Sequence, residues 1–244
     1  MDSLTAIAAS GLRARMESLD LIANNVANAA TGGYKADREF YSLYTAPEAW
    51  DSQELSTMPV IERPWVDFSQ GVLQATNNPL DVALSGKGFF SVNAPGGPLY
   101  TRNGNFLLAA DGKLVTSDGY AVRSQGGKEL KLDASQPVEI LDDGTVRQNG
   151  LTVGKLDIAD FTATDSLQKQ GANYLRMSDP ALQPSSPSGT TVQQGKLEGS
   201  NTGAAEAAVR LVSVMRQFEM LQKAASLGSD MNKQAIEQVA KVGA

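Results

Sequence analysis

Every proline of this 244-residue chain lies between Pro47 and Pro187, so both ends lack the residue that most effectively breaks a helix. Apart from Gly11, Gly228 and Gly243, its glycines fall within residues 32–203. Apart from Phe218, its aromatic residues fall within 34–174. The chain therefore changes character twice, and its two ends can take a structure that its middle cannot.

Both ends read as helices. Leu4, Ala8, Leu12, Met16, Leu19, Ile22 and Val26 recur every three or four residues, which makes one apolar stripe. The stripe starts after a cap at Asp2 or Ser3 and stops at Gly32-Gly33. Near the other end Leu211, Val214, Phe218, Leu221 and Ala225 form a heptad-like seam, which Leu227, Met231, Ala235, Val239 and Val242 continue with a small phase shift. Ser200, Asn201 and Thr202 are candidate N-caps. At about 1.5 Å per residue the two helices reach ~45 and ~60 Å, too long to lie wholly on a small middle domain. A helix with one seam is marginal alone in water, so the ends are expected to pair with each other, with other chains, or both.

The middle reads as β-structure. Asn103-Gly104, Asp111-Gly112, Asp118-Gly119, Asp143-Gly144 and Asn149-Gly150 supply the positive φ angles of tight hairpins. Short runs such as Phe89–Val92, Lys113–Thr116, Tyr120–Arg123 and Val138–Leu141 lie between them. The expected fold class is α+β: long N- and C-terminal helices packed together as an α-helical domain, with an inserted antiparallel sandwich or partial barrel. The expected divisions are a first helix at 1–33, an extended aromatic-rich connector at 34–74, a β-rich domain at 75–198 ending in a Pro/Ser linker, and the second helix at 199–244.

Composition narrows the chemistry. Cysteine and histidine are both absent. That excludes disulfides, thiolate nucleophiles, Ser–His–Asp triads and His or Cys zinc sites. The net charge is −6 and no Lys/Arg cluster stands out, which argues against nucleic acid. No apolar run is long enough for a membrane span, and the N-terminus does not read as a Sec signal peptide.

The remaining motifs have plain readings. Ser85-Gly86-Lys87-Gly88 lacks the third glycine and following helix of a dinucleotide site, so a β-turn is expected. Asp142-Asp143-Gly144 lacks calcium-loop spacing and reads as a turn. Carboxylate pairs could in principle serve a cell-wall hydrolase. Tyr34, Phe40, Tyr41, Tyr44, Trp50, Trp65 and Phe68 could form a carbohydrate platform for a binding module, or a packing and subunit-contact segment. Asn24, Asn25 and Asn28 either help end the first helix or fix the register of its packing.

Three stretches carry a family resemblance. Ala23-Asn24-Asn25-Val26-Ala27-Asn28-Ala29-Ala30-Thr31-Gly32-Gly33-Tyr34-Lys35 resembles the N-terminal signature of bacterial flagellar rod and hook proteins. Asn78-Pro79-Leu80-Asp81-Val82-Ala83-Leu84, Gly86-x-Gly88-Phe89-Phe90 and Tyr100-Thr101-Arg102-Asn103-Gly104 resemble their β-domain. Leu197-Glu198-Gly199-Ser200-Asn201 and Arg216-x-Phe218-Glu219-Met220-x-x-Lys223 resemble their C-terminal region. The resemblance is greater to the proximal rod branch than to the distal one, with a departure at Thr202-Gly203-Ala204.

The resemblance implies a non-catalytic axial subunit without a cofactor or a metal. It implies export through the flagellar export apparatus without a cleaved signal, and helical assembly with proximal and distal rod proteins in the periplasmic basal body. Thr31, Gly33, Tyr34, Lys35, Ser200, Asn201, Arg216 and Glu219 are its signature positions in this chain. The helix-packing residues expected are Leu12, Leu19, Ile22, Asn24, Asn25, Val26 and Asn28 against Leu211, Val214, Phe218 and Leu221. The termini are expected to become continuous helices once neighbours cover their seams.

Overall fold

The computed structural model describes residues 3–39, 41–45, 57–61, 64–171, 173–179 and 182–242. The cap at Asp2 and the aromatic positions Phe40 and Trp50 lie outside the described residues, as do the side chains of Tyr41 and Tyr44. The chain divides into two compact units, one from residues 1–27, 37–67 and 203–244 and the other from 28–36 and 68–202.

The first unit holds helix α1 (Ser3–Ala27) and helix α2 (Ala204–Val242), which pack against each other. From Ala9 to Ala27 of α1, where side chains are described, the buried positions are Gly11, Ala14, Ser18, Ile22 and Asn25, spaced by three and four. A Cβ placed on Gly11 would touch the Leu221 side chain at 3.5 Å, so this glycine lets α2 come near. Leu12, Leu19 and Val26 flank this line and are half-buried, while Met16 is exposed. On α2, Ala207 and Val214 are buried and Leu211, Phe218, Leu221 and Ala225 are half-buried, so one stripe of that helix is covered.

The expected α-helical domain of packed ends is corrected here. Two antiparallel strand pairs share the unit: Asp37–Arg38 with Trp65–Val66, and Tyr41–Thr45 with Thr57–Ile61. The second pair lies against α1. The helices also differ too much in length to cover each other. At about 1.5 Å per residue, 25 residues of α1 span ~37 Å and 39 residues of α2 span ~58 Å. All residues from Ser229 to Gln234 are accordingly exposed. The unit is two terminal helices with β-hairpin cover, and much of α2 is bare.

The second unit is antiparallel β-structure in several small sheets. Its largest sheet runs in the order Leu167–Gln170, Tyr174–Met177, Gly97–Thr101, Phe89–Ala94, Ala121–Val122, Leu114–Thr116, Phe106–Leu108, with Ile158–Ala159 also paired to Phe89–Ala94. Val138–Ile140, Thr145–Gln148 and Leu151–Lys155 form a three-stranded sheet. Two further pairs are Val82–Ser85 with Thr191–Gln194 and Leu73–Ala75 with Lys196–Glu198.

Side-chain alternation along Phe89–Ala94 feeds two cores. Phe90 and Val92 join Val82, Leu84, Phe106 and Leu114 in the larger one, with the Phe90 and Phe106 rings edge to face at 5.2 Å. Phe89 joins Tyr100, Phe161 and Leu175 in the smaller.

Of the Asx-Gly pairs, Asn149 (φ 50°) and Gly150 (φ 77°) make the two-residue hairpin between Gln148 and Leu151. Asn103-Gly104 differs, for neither residue has a positive φ. A Cβ on Gly104 would stand 1.7 Å from the Val82 carbonyl oxygen, so this glycine serves close backbone approach.

Candidate functional site

Lys35, Arg102 and Glu198, one from each of the three resembling stretches, meet inside the β unit around the Glu198 carboxylate. Glu198 ends a short strand and its side chain is fully buried. Its Oε1 accepts hydrogen bonds from Lys35 Nζ at 2.6 Å and from the Gly71 amide at 2.9 Å. Its Oε2 accepts one from Arg102 Nη1 at 3.1 Å. Both cations are almost wholly shielded as well, at 1% and 4% exposure.

Lys35 donates a second bond to the Ser69 carbonyl at 2.7 Å. Arg102 donates through Nη2 to the Gly86 carbonyl at 2.6 Å and lies over the Phe89 ring at 5.3 Å. A buried carboxylate needs partners for both oxygens, and here both have them.

The backbone around this cluster is equally constrained. Gly33 has φ 69° and its amide donates to the Glu198 carbonyl at 2.8 Å. A Cβ at Gly33 would stand 2.3 Å from the Asn103 nitrogen, so no side chain fits there. Asn201 clips the same two stretches from outside. Its Oδ1 accepts from the Ala36 amide at 2.7 Å, and its Nδ2 donates to the Ser69 carbonyl at 3.2 Å. Tyr34 is buried beneath Lys169, whose Nζ is 4.3 Å from the ring centre. Thr31 Oγ1 donates to Asn28 Oδ1 at 3.2 Å, and Ser200 Oγ accepts from the Thr202 amide.

In the helical unit, Asn25 is buried and pairs twice with one backbone position. Its Nδ2 donates to the Asp37 carbonyl at 2.8 Å and its Oδ1 accepts from the Asp37 amide at 2.9 Å. Its amide thus imitates a strand partner at the foot of α1. Asn28 takes part in the turn that follows α1, and Asn24 is exposed. Arg210 Nη2 donates to Glu39 at 2.8 Å, which ties α2 to the segment beside the strand Asp37–Arg38.

Ile22 and Val214 are the most deeply buried of the helix-packing positions, whereas Leu12, Leu19, Val26, Leu211, Phe218 and Leu221 are half-buried. Arg216 and Glu219 are exposed, on the side of α2 away from its covered stripe. That outer side carries Val209, Val212, Met220, Leu227 and Met231, with exposures up to 72%. Val209, Val212, Arg216 and Met220 line a shallow groove along it. A helix with apolar residues on two opposite sides and a neighbour on one has a second face to cover.

The turn expected at Asp142-Asp143-Gly144 is held by its second carboxylate. Asp143 accepts from the Thr145 amide at 3.0 Å and the Thr145 hydroxyl at 2.9 Å, and it pairs with Lys155 at 3.2 Å. The Thr145 amide above all, helped by its hydroxyl and by Lys155, lowers the Asp143 carboxyl to about 2. The two bonds to Thr145, two residues on, are what anchor the turn. Among the described residues no group of three or more Asp, Glu, His or Cys could hold a metal.

Residues 6–35 match a model described as flagella basal body rod protein. Residues 83–148 match the flagellar hook protein FlgE/F/G D1 domain, and 193–238 match the flagellar basal body rod FlgEFG protein C-terminal region. The flagellar basal-body rod protein FlgF of Caulobacter vibrioides is 30% identical over 246 residues, which covers 99% of this chain and all of that protein. The chain belongs to the flagellar basal-body rod protein family. FlgF of Mesorhizobium japonicum is 29% identical, covering 87% of this chain and 88% of that protein. FlgG of Agrobacterium fabrum is 33% identical, covering 93% and 95%.

The buried cluster of this rod-family chain was only partly legible beforehand. Lys35 and Asn201 are signature positions, while Glu198 and Arg102 stand within the resembling stretches without a role that the motif alone assigns. The available signal was opposite charge: a glutamate wedged between Leu197 and Gly199, and basic residues following Gly33-Tyr34 and Tyr100-Thr101.

Proposed function

We propose that this chain is a structural, non-catalytic subunit of the flagellar basal-body rod, of the proximal FlgF type, held in the rod through its terminal helices. The observation that carries this reading is the outer side of α2, an apolar strip along a helix whose opposite side is already packed. It supports a role in which a helix of a neighbouring rod subunit completes the packing. End-to-end alignment with a FlgF supports the proximal type. A distal, FlgG-type position is the second reading, favoured by 33% identity to a FlgG.

On this reading the partners are other rod subunits, and delivery is through the flagellar export apparatus. Folding of the helices is completed by assembly, because Ser229 to Gln234 of α2 are all exposed within one chain. On this reading Leu12, Leu19, Ile22 and Val26 with Leu211, Val214, Phe218 and Leu221 form the helix-packing seam.

Purified hook–basal bodies from a strain carrying a tagged copy test the assignment. The tag should be found in the rod, at its motor-proximal part. Complete rods without the tagged chain would refute the reading, and a tag at the hook-proximal part would move it to the distal type. Hydrogen exchange on the dilute chain tests the folding step: α2 beyond Gly228 should exchange far faster than the strands around Phe90. Equal protection would refute assembly-completed folding.

A further inference from the structure

The apolar outer side of α2 is made partly of methionine, and methionine is the only sulfur in a chain without cysteine. The surroundings of five methionine side chains are described. Met16, Met215, Met220 and Met231 are exposed, whereas Met177 is partly buried against the smaller aromatic core. Met220 lines the groove with Val209 and Val212, and Met231, eleven residues on, continues the same side of the helix. Oxidation of a thioether follows its exposure and turns an apolar side chain into a polar one.

We infer that Met220 and Met231 form an oxidation-sensitive patch on the unassembled subunit, at which peroxide-class oxidants switch off the outer side of α2 as a packing surface. The inference rests on the rod reading for its consequence, though not for its chemistry. In the step, the methionine sulfur loses two electrons and gains one oxygen, the peroxide O–O bond breaks, and water leaves with the other oxygen. The sulfoxide oxygen is a strong hydrogen-bond acceptor, and burying it against an apolar helix without a donor opposes docking. Once a neighbour covers the groove, the same thioethers are shielded, so the sensitivity belongs to subunits awaiting assembly. Reductases for the two sulfoxide epimers can reverse the change.

Two measurements test this. Purified full-length chain is treated with dilute hydrogen peroxide and followed by peptide mass spectrometry. Met220 and Met231 should convert at least about fivefold faster than Met177, as exposure dictates. Equal rates would overturn the site. In cells, Met220→Gln stands in for the polar sulfoxide and Met220→Leu for the intact thioether. The Leu variant should give wild-type numbers of hook–basal bodies and the Gln variant several-fold fewer, with both chains equally helical. Gln and Leu variants assembling alike would overturn the proposed consequence. Absence of the wild-type chain from basal bodies would instead sink the rod reading, while leaving the peroxide map standing.

Discussion

Lys35 Nζ lies 2.6 Å from Glu198 Oε1, a contact between residues 163 positions apart that joins the N-terminal signature to the C-terminal one. With Arg102 on the other carboxylate oxygen, the three resembling stretches share one buried charge cluster. Removing one member of such a cluster leaves the others charged, shielded and unpaired. Glu198→Ala should therefore cost about 3–5 kcal/mol of stability, more than any surface ion pair in the chain. Urea unfolding followed by circular dichroism measures it. A loss below ~1 kcal/mol, the range of exposed ion pairs, would mean that water reaches the cluster when the carboxylate is gone.

The fold was legible where a pattern repeats locally. The three-and-four spacing of Leu12 to Val26 and of Leu211 to Ala225 belongs to helices, and Asn149-Gly150 to a hairpin. What was not legible depends on contacts distant in sequence. The buried line of α1 runs through Gly11, Ala14 and Ser18, small residues that hydrophobicity alone does not flag. The strand pairs Asp37–Arg38 with Trp65–Val66 and Tyr41–Thr45 with Thr57–Ile61 replaced an expected purely helical domain, because two-residue and five-residue strands are too short for a clear alternation. Lys35, Arg102 and Glu198 were visible within three motifs, but their meeting at one carboxylate depends on the folded chain.

Asn25 offers a narrower test. Its two hydrogen bonds to Asp37 use both ends of the amide, one as donor and one as acceptor. Asn25→Ala should cost about 1–3 kcal/mol, since the part-buried Asp37 amide and carbonyl lose their partner. Asn25→Asp should cost at least as much near pH 7, because a carboxylate cannot donate to the Asp37 carbonyl. Equal stability of wild type and Asn25→Asp would show that the amide does not hold this corner. Thermal unfolding of both variants supplies the comparison.

Phe218 separates assembly from folding of the β unit. It lies half-buried on the covered stripe of α2, and the β unit has its own two cores. Phe218→Asp should abolish incorporation into rods while leaving the β-strand circular dichroism and the proteolytic resistance of residues 68–202 intact. Normal rods built from this variant would remove the helix seam from the assembly mechanism. Loss of the β signal would instead show that the two units do not fold independently.

The two ends of the pH range act on different side chains. Burial above all, then the hydrogen bond to Asp118, raises the Tyr174 phenol well above its usual value of 10.0. The folded state therefore keeps a proton that the unfolded chain gives up. The contribution is fully present below about pH 10 and is lost as pH rises beyond it. Tyr174→Phe should flatten that alkaline fall while losing the hydroxyl's bonds to Asp118 at 2.6 Å and Thr116 at 3.1 Å. On the acid side Asp143 is depressed from 3.8 to about 2, chiefly by the Thr145 amide. Its contribution is present above about pH 4 and is lost as pH falls toward 2, with an amplitude kept small by its exposure to solvent. Stability measured from pH 2 to 11 for wild type, Tyr174→Phe and Asp143→Asn should place each change on its own limb. An alkaline limb that Tyr174→Phe leaves unaltered would reassign the fall to another group, with Tyr100, also raised by burial, as the next to replace.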